Sequence, residues 1–275
     1  MRYEITHICE RVKDTQWETG RVAGIYNNCF NVLTDGNEML TCFRTTDRYS
    51  TRAILTDICE SMQYLPIEDG MTVTRLEKSI HAGEVVFGMC RPKIIPAKRS
   101  RIAACADVGR NIGILKNVLK KYGKKSPVLE NELLSAKVKR GFDLLLKNPV
   151  QGFEALVGLG AGLTPSCDDI ISGMAAYFHL NGIGSGFNTQ LAEYLNAKGD
   201  TVTTAVSKNL LCDTAEGYIN NSLYELIYAV MNDEKSIEEK ALDMIDYGNT
   251  SGTETCYGVI TGYLLSKEKE LIEWL

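Results

Sequence analysis

Residues 156–173 read Leu-Val-Gly-Leu-Gly-Ala-Gly-Leu-Thr-Pro-Ser-Cys-Asp-Asp-Ile-Ile-Ser-Gly. They bring glycines, hydroxyls and paired carboxylates together where an apolar segment gives way to a helix. Gly158, Gly160 and Gly162 admit positive φ and close approach to the backbone. Thr164 has the character of an N-cap and Pro165 that of a first helical residue, so backbone donors are expected to point outward at one spot. A helix start of this kind favours an anion, either phosphate or carboxylate. Asp168 and Asp169 in the first turn suit the helix dipole but would repel a bare phosphate. Three arrangements answer the conflict: the acids accept N–H groups of an amide or urea-like substrate, hold Mg²⁺ that bridges to phosphate, or cap backbone amides with no ligand. A plain cap explains Thr-Pro and the acids and leaves the alternating glycines unexplained.

A second loop repeats the plan. Residues 247–258, Tyr-Gly-Asn-Thr-Ser-Gly-Thr-Glu-Thr-Cys-Tyr-Gly, place Asn249, Thr250, Ser251 and Gly252 before a helix with Glu254 in its first turn. Asn249, Thr250 and Ser251 donate and accept, and Gly252 lets a ligand near the backbone, so the two loops facing one cavity would form a polar pocket. Taken alone the segment also reads as an interhelical turn capped by Ser or Thr. Between the loops, Thr201, Thr203, Thr204 and Ser207 add hydroxyls, most of them accounted for by a capped helix start, with Thr203 or Thr204 in reach of the site. No Ser-His-Asp or Cys-His set assembles from these positions, and Cys167 has two neighbouring carboxylates that would raise its pKa.

These loops need a scaffold, and the pattern divides into an α+β chain. Residues 1–97 read as a β-rich barrel or sandwich, with strands at 29–34 and 39–43 around the turn Asp35-Gly36-Asn37 and others at 71–76 and 85–89. Residues 98–275 read as an α-helical bundle carrying both loops. Ile102, Cys105, Ala106, Gly109, Ile112, Leu115 and Leu119 recur at helical spacing, as do Leu133, Leu134, Val138, Phe142 and Leu145. Further helices are expected near 167–181, 189–198, 202–213, 221–231, 236–247 and 253–266. Gly173, Ala175 and Ala176 suggest a close neighbouring helix, and His179 reads as a packed or capping histidine. Pro92, Pro96 and the basic residues from Arg91 to Arg101 mark the boundary as a solvated linker.

Composition narrows the chemistry. The 275 residues are 44% hydrophobic and 24% charged with a net charge of −5, which argues against a nucleic-acid or anionic-membrane surface. Nine cysteines are dispersed and never spaced Cys-x-x-Cys, a reduced, cytoplasmic pattern without disulfides. No leader and no long apolar span is read. His7, His81 and His179 are scattered, so no zinc ligand set is visible.

At the two loops the chain resembles the AllH-like family, the small subunit associated with oxamate carbamoyltransferase in anaerobic allantoin breakdown. The family pattern is Leu-Gly-x-Gly-Leu-Thr-Pro-Ser-Gly-Asp-Asp followed by a Gly-His-Thr-Ser-Gly loop. Leu159, Gly160, Gly162, Leu163, Thr164, Pro165, Ser166, Asp168 and Asp169 match the first, and Gly248, Thr250, Ser251 and Gly252 the second. Ala161 replaces the usual proline, Cys167 the usual glycine and Asn249 the usual histidine, and asparagine keeps hydrogen bonds but shuttles no proton.

The resemblance implies phosphorolysis of a ureido acid in purine nitrogen catabolism, oxalurate plus phosphate giving oxamate and carbamoyl phosphate, within a complex with two larger partner proteins. It implies loop amides around Gly160, Gly162 and Thr164 for phosphate or substrate carboxylate, Ser166, Thr250 and Ser251 for oxygen contacts, and Asp168 and Asp169 as candidate catalytic groups for ureido N–H groups or Mg²⁺. Ser50-Thr51-Arg52 begins like the phosphate motif of ordinary carbamoyltransferases but continues Ala53-Ile54, and reads as chance. Two other readings stay open: a non-catalytic assembly or regulatory subunit binding a small anionic or ureido ligand, favoured by Asn249, and a Mg²⁺-dependent phosphotransfer enzyme, disfavoured by the missing Gly-x-x-x-x-Gly-Lys-Ser/Thr loop.

Overall fold

The turn Asp35-Gly36-Asn37 joins two strands in register, with Phe30 opposite Cys42 and Val32 opposite Leu40. Asn37 closes it at φ 59°, the left-handed conformation that asparagine tolerates at the end of a three-residue hairpin loop. The computed structural model describes residues 1–46, 49–183 and 185–267, and the chain separates into two compact units, Met1–Lys98 and Arg99–Leu275. The fold is α+β.

Among the described residues of the first unit there are nine strands, one short α-helix and a 3₁₀ turn at Met62–Tyr64: β1 (Arg2–Cys9), α1 (Glu10–Asp14), β2 (Thr19–Ile25), β3 (Cys29–Thr34), β4 (Met39–Phe43), β5 (Ala53–Thr56), β6 (Thr72–Leu76), β7 (Ser79–Ala82), β8 (Val85–Gly88) and β9 (Lys93–Ile95). The sheet order is β5-β4-β3-β2-β6-β7-β8-β1-β9, and β5 also pairs with β1. That last, antiparallel pairing closes eight strands into a barrel and decides between barrel and sandwich. Phe30, Leu40, Ile54, Met62, Val73, Ile80 and Phe87 fill its core. Strand β1 is shared lengthwise, with β8 parallel to its first half and β9 parallel to its second. Part of the expected basic linker is therefore strand β9.

The described helices of the second unit are α2 (Val108–Tyr122), α3 (Pro127–Glu130), α4 (Glu132–Lys147), α5 (Pro149–Leu156), α6 (Ser166–Asn181), α7 (Ser185–Val202), α8 (Ala205–Ala215), α9 (Asn221–Asn232), α10 (Ile237–Ile245) and α11 (Ser251–Leu265). Side-chain oxygens of Asp107, Asn131, Asn148, Thr204 and Asn220 cap α2, α4, α5, α8 and α9, each satisfying amides that the helix leaves unbonded. The helical spacing read through Ile102, Cys105 and Ala106 stops short of helix there. Asp107 caps α2, and the preceding amides bond elsewhere, Ile102 to the Leu180 carbonyl and Cys105 and Ala106 to that of Met231.

Helix α6 is the axis of this unit, buried along its length except at His179 and Asn181. A helix so enclosed needs partners on every side, and α11 comes closest. A Cβ on Gly173 would collide with the Thr255 carbonyl and one on Gly258 with the Ile170 carbonyl, so the two backbones touch where the small-residue patch suggested close packing. Around them Phe153, Phe178 and Phe187 meet edge to face, with centroids 5.2 and 5.1 Å apart. Among the described residues no helix is long and apolar enough to cross a membrane.

Candidate functional site

The close approach of α6 and α11 carries their first turns, and the loops before them, to one place. Thr164 Oγ1 and Ser251 Oγ lie 3.0 Å apart, linking the loops directly. Thr164 is not the N-cap expected from the sequence. Pro165 holds that position, with Ser166 the first helical residue, because the Pro165 carbonyl accepts from the amides of Asp168 and Asp169. The Thr164 hydroxyl is thereby released toward Ser251 and Asp169.

The neighbouring acids have different surroundings. Asp168 Oδ1 accepts from the Gly158 amide at 2.7 Å, and Oδ2 accepts from Thr203 Oγ1 at 2.5 Å and Ser207 Oγ at 2.6 Å. Its carboxyl is fully buried, and burial raises its pKa against those donors. Asp169 is 2% exposed. Hydrogen bonds from Ser251 and Thr164 favour its charged form, yet burial, with Glu254 and Asp168 nearby, pushes its pKa up to about 8, while Oδ2 has no partner. At pH 7 Asp169 is mostly a neutral acid. The repulsion expected between two carboxylates and an anion is correspondingly reduced, and Asp168 is surrounded by three donors.

The glycines also divide. Gly158, Gly160 and Gly162 all take positive φ, 80°, 134° and 96°. A Cβ on Gly158 would strike the Val202 carbonyl and one on Gly160 the Ser166 amide, whereas Gly162 has open space around it. The helix-start amides are largely satisfied internally, Cys167 by the Leu159 carbonyl and Asp168 and Asp169 by Pro165, so the expected outward donors are not those of α6 itself. They belong to the loop: among the described residues no acceptor is bonded to the N–H of Gly160, Ala161, Gly162, Leu163 or Thr164, and residues 160–163 are exposed. Thr204 Oγ1 donates to the Leu163 carbonyl and fixes the outer edge of the loop.

In the second loop Ser251 begins α11 and Thr250 donates to Glu254 Oε2 at 3.1 Å. Asn249 is exposed and Ser166 is buried. Gly252 is buried against the Met244 carbonyl, so its missing Cβ serves helix packing and opens no path for a ligand. Sequence reasoning missed three members of this region. Ser126 donates to Glu254 Oε1 at 2.6 Å, and Lys124 binds the loop through its amide to Thr253 Oγ1 at 3.1 Å and its Nζ to the Gly248 carbonyl at 3.0 Å. Glu254 itself was read only as a helix-start acid, although it is 1% exposed. Burial pushes the Cys167 thiol up to about 12, removing it as a nucleophile near neutral pH. His179, at the far end of α6, lies with Nε2 2.8 Å from the Arg99 carbonyl, the packed role expected of it.

No solved structure matches the chain. The family model described as oxamate carbamoyltransferase subunit AllH matches residues 156–263, a span that opens two residues before Gly158 and takes in both loops, and over that span the chain is AllH-like.

Proposed function

We propose that this protein is a subunit of a carbamoyltransferase acting on a ureido acid, with the paired loops as the part of the active site it contributes. The observation that carries the reading is the run of five unbonded backbone N–H groups from Gly160 to Thr164, on a loop whose residues 160–163 are exposed at the entrance to a buried helix. Consecutive donors of this kind suit the oxygens of phosphate or a carboxylate. In the proposed reaction a phosphate oxygen attacks the ureido carbonyl of oxalurate, the carbon–nitrogen bond breaks, and a proton reaches the leaving nitrogen, giving carbamoyl phosphate and oxamate. The loop amides would hold the anion and the developing oxyanion. Thr250 and Ser251 would contact oxygens. Asp169, neutral near pH 7 and with one unpartnered oxygen, is the group suited to exchange a proton or hydrogen bond with the ureido nitrogen. Asp168 is better suited to positioning, since both its oxygens already bind the surrounding loop and α8.

The donor set does not suit Mg²⁺. Both oxygens of Asp168 are taken, Asp169 favours its proton, and among the described residues no three His, Cys, Asp or Glu side chains are grouped to hold a metal. No step is routed through one. Partner subunits follow from the family reading, and Asn249, exposed and unable to carry a proton near neutral pH, favours a second reading in which the chain binds ligand for a complex and leaves proton transfer to a partner.

Heat-scan stabilisation by phosphate, carbamoyl phosphate, oxalurate and oxamate tests the proposal, because a ligand at 100 times its Kd adds about 2.7 kcal/mol. The expected result is a rise in Tm with phosphate or carbamoyl phosphate that Gly162→Val abolishes. Absence of any rise with all four compounds would sink the anion-cradle reading.

A further inference from the structure

A second polar recess lies at the other end of α6. A cleft of about 410 Å³ is bounded by Arg101, Phe178, His179, Asn188, Glu193 and Ala215. Helix α7 gives it one continuous face, since 189, 192, 193 and 196 also border it and recur at helical spacing. Asn188 is 6% exposed, and its Nδ2 donates to the Ala175 carbonyl at 3.1 Å. Because that carbonyl can only accept, the amide orientation is fixed. Oδ1 is left buried and without a donor, a condition a bound N–H group would relieve.

The other polar groups complement it. Nε2 of His179 faces the Arg99 carbonyl, which requires the N–H there and leaves Nδ1 as an acceptor in the neutral ring. The Glu193 carboxylate and the Arg101 guanidinium make no ion pair or side-chain hydrogen bond among the described residues, so Arg101 is the cation facing Asn188, His179 and Glu193 over an apolar floor of Phe178 and Ala215. Thr189, Asn196 and Glu216 are also on the lining, with Thr189 and Glu216 already partnered. We infer that this cleft binds a small carboxylate that also bears several N–H donors, a ureido or amino acid, with its carboxylate on Arg101 and its N–H groups on Asn188 Oδ1, His179 Nδ1 and Glu193. A guanidinium pairs with a carboxylate through two parallel hydrogen bonds, and a ureido or ammonium group offers three N–H donors to the acceptors. The inference uses none of the loop chemistry and stands or falls apart from it.

Calorimetric titration of the full chain with N-carbamoylglycine, glycine, acetate and urea tests this directly. N-carbamoylglycine or glycine should bind at least ten-fold tighter than acetate or urea, which each lack one half of the recognition; which of the two binds separates ureido from amino acid. Arg101→Gln, at an exposed position, should weaken that binding at least ten-fold while leaving the phosphate response of the loops unchanged, and Asn188→Ala should weaken it without altering the acetate titration. Three results would overturn the inference: no binding of N-carbamoylglycine or glycine at about 10 mM, equal binding of acetate or urea, or binding that survives Arg101→Gln and is lost in Gly162→Val.

Discussion

The loops that lead into α6 and α11 share a plan and differ in how they use it. The loop before α6 turns its acid inward: Asp168 draws together the Gly158 amide and the hydroxyls of Thr203 and Ser207, leaving the amides from Gly160 to Thr164 unbonded. The loop before α11 is braced by side chains, although among the described residues the amides of Gly248, Asn249, Thr250 and Ser251 likewise bond no acceptor. Glu254 takes both Ser126 and Thr250, Lys124 holds the Gly248 carbonyl, and Gly252 is pressed on Met244. The same ingredients thus leave unbonded amides in both loops, and what differs is the anchor: Gly158, Thr203 and Ser207 around Asp168 in one, Ser126 and Lys124 in the other. Glycine-and-hydroxyl composition does not foretell how a loop is anchored; that depends on which distant side chains reach its acid once the chain has folded.

The largest effect that would break this comparison is expected for Asp168→Ala, which strands three donors around a buried void. It should cost roughly 3 kcal/mol by chemical denaturation, and a cost below 1 kcal/mol would mean that Asp168 does not organise the open loop. Asp169→Asn sharpens the contrast between neighbouring acids through pH. Its pKa, raised from 3.8 to about 8, gives wild-type stability that is fully present below about pH 4 and lost as the pH rises through 8. The variant should therefore match wild type near pH 4 and exceed it by at least ~2 kcal/mol at pH 8; parallel stability curves across that range would contradict a neutral buried acid. The smallest effect belongs to Thr204→Ala, which removes the α8 cap and the tie to Leu163 for about 1 kcal/mol. Phosphate-induced stabilisation should weaken in that variant, and unchanged phosphate affinity would separate the loop edge from anion binding.

How far the sequence reveals these features depends on how local their causes are. The β3–β4 hairpin is legible because Asp35-Gly36-Asn37 and the flanking apolar strands specify it within 15 residues. Barrel closure is not, since it rests on Ile5 and Ile8 meeting Thr56 and Ile54 from far along the chain. Both loops announce themselves by residue type, and Gly173 with Ala175 and Ala176 announces a close helix neighbour. The identity of the acids' partners stays hidden, because Ser207 and Ser126 come from segments 39 and 128 residues away. Thr164 and Pro165 each have the chemistry of a helix start, and only the folded loop shows that Pro165 takes the cap position while the threonine turns to Ser251.

The shared use of β1 has a consequence for timing. Its edges are completed by β5 on one side and by β8 and β9 on the other, so a strand that precedes all its partners in sequence is among the last of the barrel to acquire all its neighbours. At translation rates of about 5–20 residues per second, an interval on the order of ten seconds separates the emergence of β1 from that of β9. Until then the second half of β1 keeps one open edge, exposed to mispairing. The helical unit follows in the chain, and the pairings that close the barrel draw only on strands of the first unit.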